Sequence, residues 1–259
     1  MGGKQQRMDE NALTGKTALV TGAGKRIGHA IAVALAEEGV NVVIHYRTSS
    51  EEARELQREL MERGVKSWLV QADFETPSEY ETLIERSLRI ANRLDILVNS
   101  ASIFPPSTLK DMQLKHFAQV VEVNAWAPFV LSREFARLVG KGKIVNLLDT
   151  RASGYDWEHV AYLLSKKMLA ELTRMCAVQF APGITVNAVA PGLILPPPGE
   201  DQSYLDRLTH TVPLKRHGDP DDIAEAVVYL LKSDFVTGQV INVDGGRHLL
   251  EYSHGPHPD

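Results

Sequence analysis

Cysteine and long apolar runs are scarce in this 259-residue chain. The single cysteine, Cys176, cannot form a disulfide within one chain, and its apolar, helix-like surroundings favour a buried thiol over a nucleophile. No apolar run reaches the roughly 20 residues that a membrane-spanning helix needs. The first eleven residues are polar and lack the apolar core of a secretory signal. A cytoplasmic protein without a membrane partner is therefore predicted.

An excess of positive charge is missing as well. The chain has 28 Lys and Arg residues against 33 Asp and Glu, a net charge of −5, and it has no basic stripe or tail. A nucleic-acid partner is therefore not expected. The nine histidines show no ligand-spaced pair with carboxylates, so no metal site is predicted. The 44% of hydrophobic residues is ordinary for a globular protein and sufficient for one large core.

Short apolar runs alternate with stretches of helical periodicity along the chain. This alternation predicts right-handed crossovers and a parallel sheet with helices on both faces. The fold class is therefore α/β, with one doubly wound, seven-stranded parallel sheet. The predicted strands are residues 17–20, 42–44, 68–70, 94–98, 143–148, 184–189 and 240–243.

One domain over residues 15–250 is expected, because no linker or internal repeat divides the chain. Residues 1–14 are predicted to form a flexible arm and residues 251–259 a disordered tail.

Three local features are predicted inside this domain. Thr76–Glu79 has the pattern of a helix-capping box. One long helix is predicted over about 110–138, with Asn124 inside it. The stretch 193–218 is predicted to be an irregular loop that shapes substrate specificity.

Polar residues and glycines follow the predicted strands at the point where each strand ends. In sheets of this kind, ligands bind at the carboxyl ends of the strands. One site assembled from several strand ends is therefore predicted. The residues concerned are Gly22, Arg47, Asp73, Asn99, Asp149, Pro191 and Gly192.

The first strand leads into a glycine-rich loop that opens the first helix. Glycine lets the backbone approach a pyrophosphate closely, and the helix N-terminus adds amide donors and partial positive charge. Gly22, Lys25, Arg26 and Ile27 are therefore predicted to contact a nucleotide. Arg26 can reach a phosphate, and the alternative is a surface residue beside the turn.

The end of the second strand indicates which dinucleotide binds. An acidic residue there would accept hydrogen bonds from the ribose hydroxyls of NAD. The chain instead has Arg47, Thr48 and Ser49, and no carboxylate until Glu51. A cation and hydroxyls suit a 2′-phosphate, so NADP(H) is the predicted cofactor. The alternative is a solvated Arg47 at a helix entry.

Tyr162 and Lys166 are four residues apart in a predicted helix and therefore lie on one face. An ammonium held near a phenol lowers the tyrosine pKa from about 10, which gives a usable proton donor near neutral pH. Asp149 lies upstream, after the fifth predicted strand. Surface pairs share this spacing, so the assignment depends on the surrounding motifs.

Together these motifs resemble the short-chain dehydrogenase/reductase family over almost all of residues 15–250. The resemblance implies a single-domain Rossmann fold, a homotetramer, and catalytic roles for Tyr162 and Lys166. It implies that Asn124 holds a water for proton relay, with a satisfied buried asparagine as the alternative. The residues that it assigns to the cofactor are Asp73, Asn99, Ala101, Tyr162, Lys166, Pro191 and Gly192.

Three features of the chain resemble the pteridine reductase branch of that family. Arg26 replaces the middle glycine of the cofactor loop, and Asp149 replaces the serine thirteen residues before the tyrosine. Phe104 lies where that branch carries an aromatic that stacks the pterin, with ordinary loop packing as the alternative. An ionised carboxylate is a poor partner for a ketone oxygen and suits a ring with N–H donors. The predicted substrate contacts are Arg26, Ser102, Phe104, Asp149, Tyr162 and Leu193.

The predicted function is NADPH-dependent hydride transfer to a C=N bond of a pterin of the dihydropterin, biopterin or folate type. Tyr162 would protonate the ring nitrogen, and Asp149 would hydrogen-bond both the substrate and Tyr162. One alternative is a carbonyl reductase or alcohol dehydrogenase of the same family. A further alternative is a nucleotide-sensing binding protein, against which the intact Tyr162 and Lys166 argue.

Overall fold

The computed structural model describes residues 12–197, 199–250 and 253–254. Within this part of the chain, seven strands form one parallel sheet in the order β3-β2-β1-β4-β5-β7-β8, and the two-residue strands β6 and β9 pair separately. The predicted α/β fold class is therefore confirmed. The strands are β1 (Thr17–Val20), β2 (Asn41–Tyr46), β3 (Ser67–Gln71), β4 (Ile96–Asn99), β5 (Gly142–Leu147), β6 (Tyr155–Asp156), β7 (Ile184–Pro191), β8 (Val240–Val243) and β9 (Ser253–His254).

Helices cover both faces of this sheet. Apolar side chains of α1, α2 and α9 pack on one face, and those of α4, α6 and α7 pack on the other. The helices are α1 (Arg26–Glu37), α2 (Ser50–Glu62), α3 (Pro77–Glu81), α4 (Leu83–Ala91), α5 (Leu114–Val121), α6 (Ala127–Val139), α7 (Val160–Gln179), α8 (Gln202–Leu208) and α9 (Pro220–Lys232).

The central strand β1 shows why the apolar runs form this sheet. All four of its residues are buried. Successive side chains of a strand point to opposite faces, so Ala18 and Val20 join the core beneath α1 while Leu19 joins the core beneath α6. Such a strand needs apolar residues at every position, because helices cover both of its faces.

The strand order reverses at β1, and this reversal positions the site. Val20 pairs with Ile44 of β2 on one side and with Val98 of β4 on the other. The chain leaves β1 towards α1 on one face of the sheet and leaves β4 towards α6 on the other, which opens a crevice at the carboxyl ends of these two strands.

Two helix predictions differ from the structure. The Thr76 side chain makes no capping hydrogen bond, and the Glu79 carboxylate accepts from the backbone N–H of Asp73 at 2.7 Å rather than from that of Thr76. The capping-box prediction at Thr76–Glu79 is therefore wrong, and α9 has a complete capping box formed by Asp219 and Asp222. The predicted long helix begins at Leu114 rather than near residue 110.

A π turn, Glu122–Trp126, joins α5 to α6 and contains Asn124. Single π turns inside helices mark positions where the backbone departs from regular hydrogen bonding, often at functional sites. The loop 193–218 also differs from its prediction, because it contains α8 and a 3₁₀ turn at Thr209–Thr211.

The chain ends were predicted to be loose. Residues 1–11 lie outside the described residues, but Leu13 is fully buried in the core. In the tail, only Ser253 and His254 are described, and they pair with Tyr155 and Asp156 of β6. Among the described helices, none combines the length and the apolar character needed to cross a membrane.

Candidate active site

A cleft of about 500 Å³ lies at the carboxyl ends of the strands. It brings together residues that are distant in sequence and that were predicted from the strand ends, the glycine loop, the Tyr162–Lys166 spacing and the family resemblance. The predicted site residues that line it are Gly22, Lys25, Arg26, Ile27, Arg47, Thr48, Ser49, Asp73, Ala101, Ser102, Phe104, Asp149, Tyr162, Lys166, Pro191, Gly192 and Leu193.

The Asn99 side chain does not line this cleft. Asn99 is the last residue of β4, and its amide donates to Asn146 Oδ1 at 2.8 Å within the buried layer beneath the site. The contact joins β4 to β5, so the side chain of Asn99 supports the sheet. A cofactor contact by the Asn99 side chain is therefore at odds with the structure.

Asn124 also lies beneath the cleft and is fully buried. Its amide nitrogen donates to the Ile103 carbonyl at 2.9 Å and to Ser165 Oγ at 3.2 Å. Its amide oxygen accepts from Ser102 Oγ and from the Ile103 N–H at 2.8 Å. These four bonds use the full capacity of the amide. The side chain therefore fixes the loop after β4, and a water in a proton relay would have to bond to the Asn124 main chain.

The glycine loop can hold a pyrophosphate. A Cβ at position 28 would lie 2.3 Å from the Gly22 carbonyl oxygen, and Gly22 has a φ of +64°. Both positions therefore require glycine. No side chain caps the N-terminus of α1, and its first turn contains no acidic residue. The amide donors and the positive end of the helix dipole thus face the cleft.

Arg26 opens α1 with a φ of +57°, a left-handed conformation that a glycine would adopt without strain. Its guanidinium donates to the Pro196 carbonyl at 2.9 Å, across 170 residues of sequence. Arg26 therefore connects the glycine loop to the loop 193–218.

His45 was not singled out by the sequence, yet it holds the glycine loop in place. The buried imidazole accepts from the Gly22 N–H at 3.0 Å and donates to the Ala72 carbonyl at 3.0 Å. Burial lowers the pKa of His45 from 6.5 to about 4, so the ring is neutral. Only neutral imidazole can accept and donate at once. Phe74 stacks on the ring at a centroid distance of 4.6 Å.

Arg47, Thr48 and Ser49 lie together at the end of β2, as predicted from the sequence. The Arg47 guanidinium contacts the Glu75 carboxylate at 3.2 Å and remains half exposed. A phosphate placed here would meet a cation and two hydroxyls, and Glu75 is the acidic group beside them.

Tyr162 and Asp149 meet at the floor of the cleft. The Tyr162 hydroxyl donates to Asp149 Oδ2 at 2.9 Å. Asp149 Oδ1 accepts from the Arg151 N–H at 2.8 Å, which fixes the carboxylate at the start of a 3₁₀ turn. Burial, and then the charge of Asp149, raise the pKa of Tyr162 well above 10, with Arg151 acting in the opposite direction.

The pKa of Tyr162 is therefore raised overall in this structure, and a lowering contribution from Lys166 stays a prediction. Lys166 Nζ donates to the Leu147 carbonyl at 2.8 Å and lies 5.6 Å from the centre of the tyrosine ring. Burial lowers the pKa of Lys166 from 10.5 to about 8, and Asp149 opposes this shift. Sequence spacing placed the pair correctly, but it could not weigh the adjacent carboxylate against the ammonium.

Phe104 lies beside Tyr162 and packs against residues that the sequence did not single out. His159 stacks on the ring at a centroid distance of 3.9 Å, and Arg151 Cζ lies 4.8 Å from the same centroid. The stacking of a substrate on Phe104 stays a prediction, because these two side chains already contact the ring. A charged residue two positions after Asp149 was the available sequence signal for Arg151.

Asp156, also missed, is the buried anchor of this group. It accepts from Arg151 Nη1 at 2.6 Å and from the backbone N–H groups of Glu158 and His159. Burial acting alone would raise the pKa of Asp156, but the bonds from His159 and the charge of Arg151 dominate and lower it.

A family model described as enoyl-(acyl carrier protein) reductase matches residues 22–248. The match spans the glycine loop, the Tyr162–Lys166 pair and the loop 193–218. The chain belongs to the short-chain dehydrogenase/reductase family. A similar member is the 3-oxoacyl-[acyl-carrier-protein] reductase of Synechocystis sp., 34% identical over 246 residues that cover 92% of this chain and 99% of that protein.

The solved structures of two other reductases are similar to the structure of this chain. FolM alternative dihydrofolate reductase 1 from Brucella canis, complexed with NADP, superposes with a TM-score of 0.88 at 29% identity and covers 96% of this chain and 98% of that one. The corresponding Brucella suis protein, also in complex with NADP, gives 0.86 at 31% identity, with 91% and 96% covered.

Proposed function

We propose that this short-chain dehydrogenase/reductase transfers a hydride from NADPH to a C=N bond of a pterin of the dihydropterin, biopterin or folate type. The observation that carries the proposal is the 2.9 Å bond from the Tyr162 hydroxyl to Asp149. A carboxylate beside the proton donor accepts hydrogen bonds and therefore suits a ring with N–H groups better than a ketone oxygen. The similarity to the two FolM reductases supports the same substrate class.

The cofactor is NADP(H). The uncapped N-terminus of α1 fits a pyrophosphate, and Arg47, Thr48 and Ser49 fit a 2′-phosphate at the end of β2. The NADP complexes of the two FolM structures support this assignment. Tyr162, Lys166, Pro191 and Gly192 line the opposite end of the cleft, which would receive the nicotinamide.

NADPH, when bound, supplies the hydride. Tyr162 gives its hydroxyl proton to the substrate nitrogen, and the π electrons of the C=N bond form the new N–H bond. Lys166 then stabilises the tyrosine phenolate through its positive charge. Asp149 holds the hydroxyl in place and returns a proton to it from solvent. Tyr162 and Lys166 are buried and the Asp149 side chain is only 22% exposed, which strengthens each charge interaction.

A second candidate is a carbonyl reductase that acts on a 3-oxoacyl or related ketone. The observation in its favour is the 34% identity to the Synechocystis 3-oxoacyl-[acyl-carrier-protein] reductase over almost the whole chain. The same fold serves many chemistries, so this identity supports the scaffold more directly than the substrate. Asp149 argues against this candidate, because an ionised carboxylate and a ketone oxygen are both acceptors.

The test compares NADPH oxidation with dihydrobiopterin, dihydrofolate and a panel of ketones, including a 3-oxoacyl thioester. We expect turnover with a pterin or folate at least about 10-fold faster in kcat/KM than with any ketone. Replacing Tyr162 by Phe removes the proton donor, so turnover should fall by at least about 100-fold while NADPH still binds. Faster ketone turnover, or full activity of the Phe variant, would defeat the proposal.

We further propose a cytoplasmic homotetramer with one catalytic domain over residues 15–250. Apolar side chains on α5 and α7 support self-association, because Leu114, Met175 and Val178 are all strongly exposed. Met175 and Val178 are three residues apart and share one face of α7, and contiguous exposed apolar surface commonly marks a protein interface.

A further inference from the structure

The ring of Phe104 contacts three side chains of the site. The His159 imidazole lies nearly parallel to it, at 13° and a centroid distance of 3.9 Å, and therefore covers one face. The Arg151 guanidinium carbon lies over the same ring, 4.8 Å from its centroid. The Tyr162 ring is nearly perpendicular to it at a centroid distance of 4.5 Å. We call His159, Phe104 and Arg151 together the stack.

Asp156 holds both Arg151 and His159 in place. One carboxylate oxygen accepts from Arg151 Nη1 at 2.6 Å. The other contacts His159 Nδ1 at 3.3 Å and accepts from the His159 N–H at 2.8 Å. The Asp156 side chain is 1% exposed, so solvent barely weakens these bonds. The position of Arg151 is therefore set by the fold before any ligand arrives.

Arg151 is the layer of the stack that can meet a substrate. It lines the cleft beside Asp149 and Tyr162, whereas His159 does not line it. Its Nε atom is 4.0 Å from Asp149 Oδ1, and its side chain keeps 19% of its surface exposed. A guanidinium is planar and packs against aromatic rings with both of its faces, while its edge donates hydrogen bonds.

We propose that Arg151 is a specificity-determining residue that packs against the flat ring of the substrate in place of Phe104. The substrate ring would extend the stack of His159, Phe104 and Arg151 by one layer, and edge N–H groups of Arg151 would bond to its acceptor atoms. Flat heterocycles are thereby favoured over open-chain ketones, which have no ring face. This inference rests on the proposed pterin reductase function.

The experiment measures binding without turnover. Dihydrobiopterin is titrated calorimetrically into protein saturated with NADP⁺, which cannot donate a hydride. The variants are Arg151→Met, which keeps the length of the side chain, and Arg151→Lys, which keeps the charge without the plane. Arg89→Met is the matched control, because Arg89 is an exposed arginine of α4 that pairs with Glu85 and does not line the cleft.

We expect Arg151→Met to weaken dihydrobiopterin binding by about 10-fold, equivalent to about 1.4 kcal/mol. Arg151→Lys should weaken it by at least about 5-fold, because an ammonium lacks the planar surface. Arg89→Met should bind like the wild type. The affinity for NADP⁺, measured in parallel, should stay within about twofold in every variant.

Three results would overturn the role of Arg151: unchanged pterin affinity in Arg151→Met, full affinity in Arg151→Lys, or an equal loss of NADP⁺ affinity that indicates a disrupted site. Failure of the proposed function is a different result. In that case the wild type binds dihydrobiopterin in the presence of NADP⁺ and Arg151→Met weakens this binding, but the wild type does not oxidise NADPH when dihydrobiopterin is the substrate. A wild type that does not bind dihydrobiopterin at all would overturn both.

Discussion

The Tyr162 hydroxyl donates to Asp149 from a buried position, and both features keep its proton in place near neutral pH. The proton donor is therefore a neutral phenol, and a nearby positive charge is needed to stabilise the phenolate that forms when it releases its proton. Lys166 is the cation available for this, at 5.6 Å from the phenol ring. Because burial lowers the pKa of Lys166 to about 8, its charge is lost at a lower pH than that of an ordinary lysine.

The charge of Lys166 should make turnover depend on pH. Lys166 is positively charged below its pKa of about 8 and neutral above it. As pH rises through this value, the phenolate left on Tyr162 loses its stabilising cation. We therefore expect kcat/KM for the pterin to fall above pH 8, by up to about tenfold per pH unit. Initial rates between pH 6 and pH 10 measure this.

Tyr162 itself does not explain such a fall, because its pKa lies well above 10. A Lys166→Arg variant provides the comparison, since a guanidinium stays protonated over this range. If that variant binds NADPH normally, its activity should stay level to higher pH. A wild-type profile that is flat up to pH 10 contradicts the role given to the Lys166 charge.

At the scale of elements, His45 joins three parts of the cofactor site. It lies in β2, accepts from Gly22 of the glycine loop, and donates to Ala72 after β3. Protonation would remove the acceptor for Gly22 and place a charge in the core. The fold therefore holds this histidine in its neutral form, which is the reason for its strongly lowered pKa.

A pH-dependent stability follows from this histidine. The pKa of His45 is about 4 in the folded protein and 6.5 for an ordinary histidine, which represents the unfolded chain. As pH falls, the unfolded chain therefore binds this proton before the folded protein does. The free energy of unfolding is unaffected by this group above pH 6.5 and falls as pH drops towards 4. The loss is at most about 3 kcal/mol. Urea unfolding at fixed protein concentration, at several pH values in this window, measures it.

His45→Asn keeps an acceptor for Gly22 and cannot become charged. This variant should lose most of the pH dependence between 6.5 and 4. His210→Asn is the matched control, because His210 is exposed in a 3₁₀ turn, and it should retain the wild-type slope. Equal slopes in the wild type and His45→Asn would refute the assignment.

Contiguous elements of the site were predictable from the sequence. The glycine loop, the end of β2 and the Tyr162–Lys166 pair each depend on a few neighbouring residues and on the periodicity around them. The stack around Phe104 was not predictable in this way. It depends on the turn after β5 folding back so that Asp156 reaches Arg151 and His159, which is a tertiary event.

The dependence on tertiary packing also explains why some residues were placed at the site correctly but given the wrong role. Asn124 and Asn99 were placed near the site correctly, but whether a side chain faces the cleft or the layer beneath depends on packing. The direction of the Tyr162 pKa shift depends on the balance between burial, Asp149 and Lys166. Such a balance requires distances that a sequence does not contain.

At the scale of the whole molecule, the sheet and helices match reductases with different substrates. Similarity to a 3-oxoacyl-[acyl-carrier-protein] reductase is spread over 92% of the chain, and superposition on the Brucella canis FolM covers 96% of it. One fold therefore serves reductases that are named for different substrates, and the side chains of the site must decide between them. Under the proposed function, Asp149 is the side chain that makes this choice.

The substrate preference of an Asp149→Ser variant tests the role of Asp149 in substrate choice. Serine offers a hydroxyl that can donate to a ketone oxygen and removes the carboxylate that accepts from pterin N–H groups. The measured quantity is kcat/KM for dihydrobiopterin divided by kcat/KM for a 3-oxoacyl thioester, in the wild type and in the variant. Asp221→Ser is the control, because Asp221 is exposed in the first turn of α9 and does not line the cleft.

We predict that this ratio falls by at least about 10-fold in Asp149→Ser, corresponding to the loss of one charge-assisted hydrogen bond of about 1.5–3 kcal/mol. The ratio should not change in Asp221→Ser. An unchanged or increased preference for dihydrobiopterin in Asp149→Ser would contradict the claim that this carboxylate makes the protein a pterin reductase.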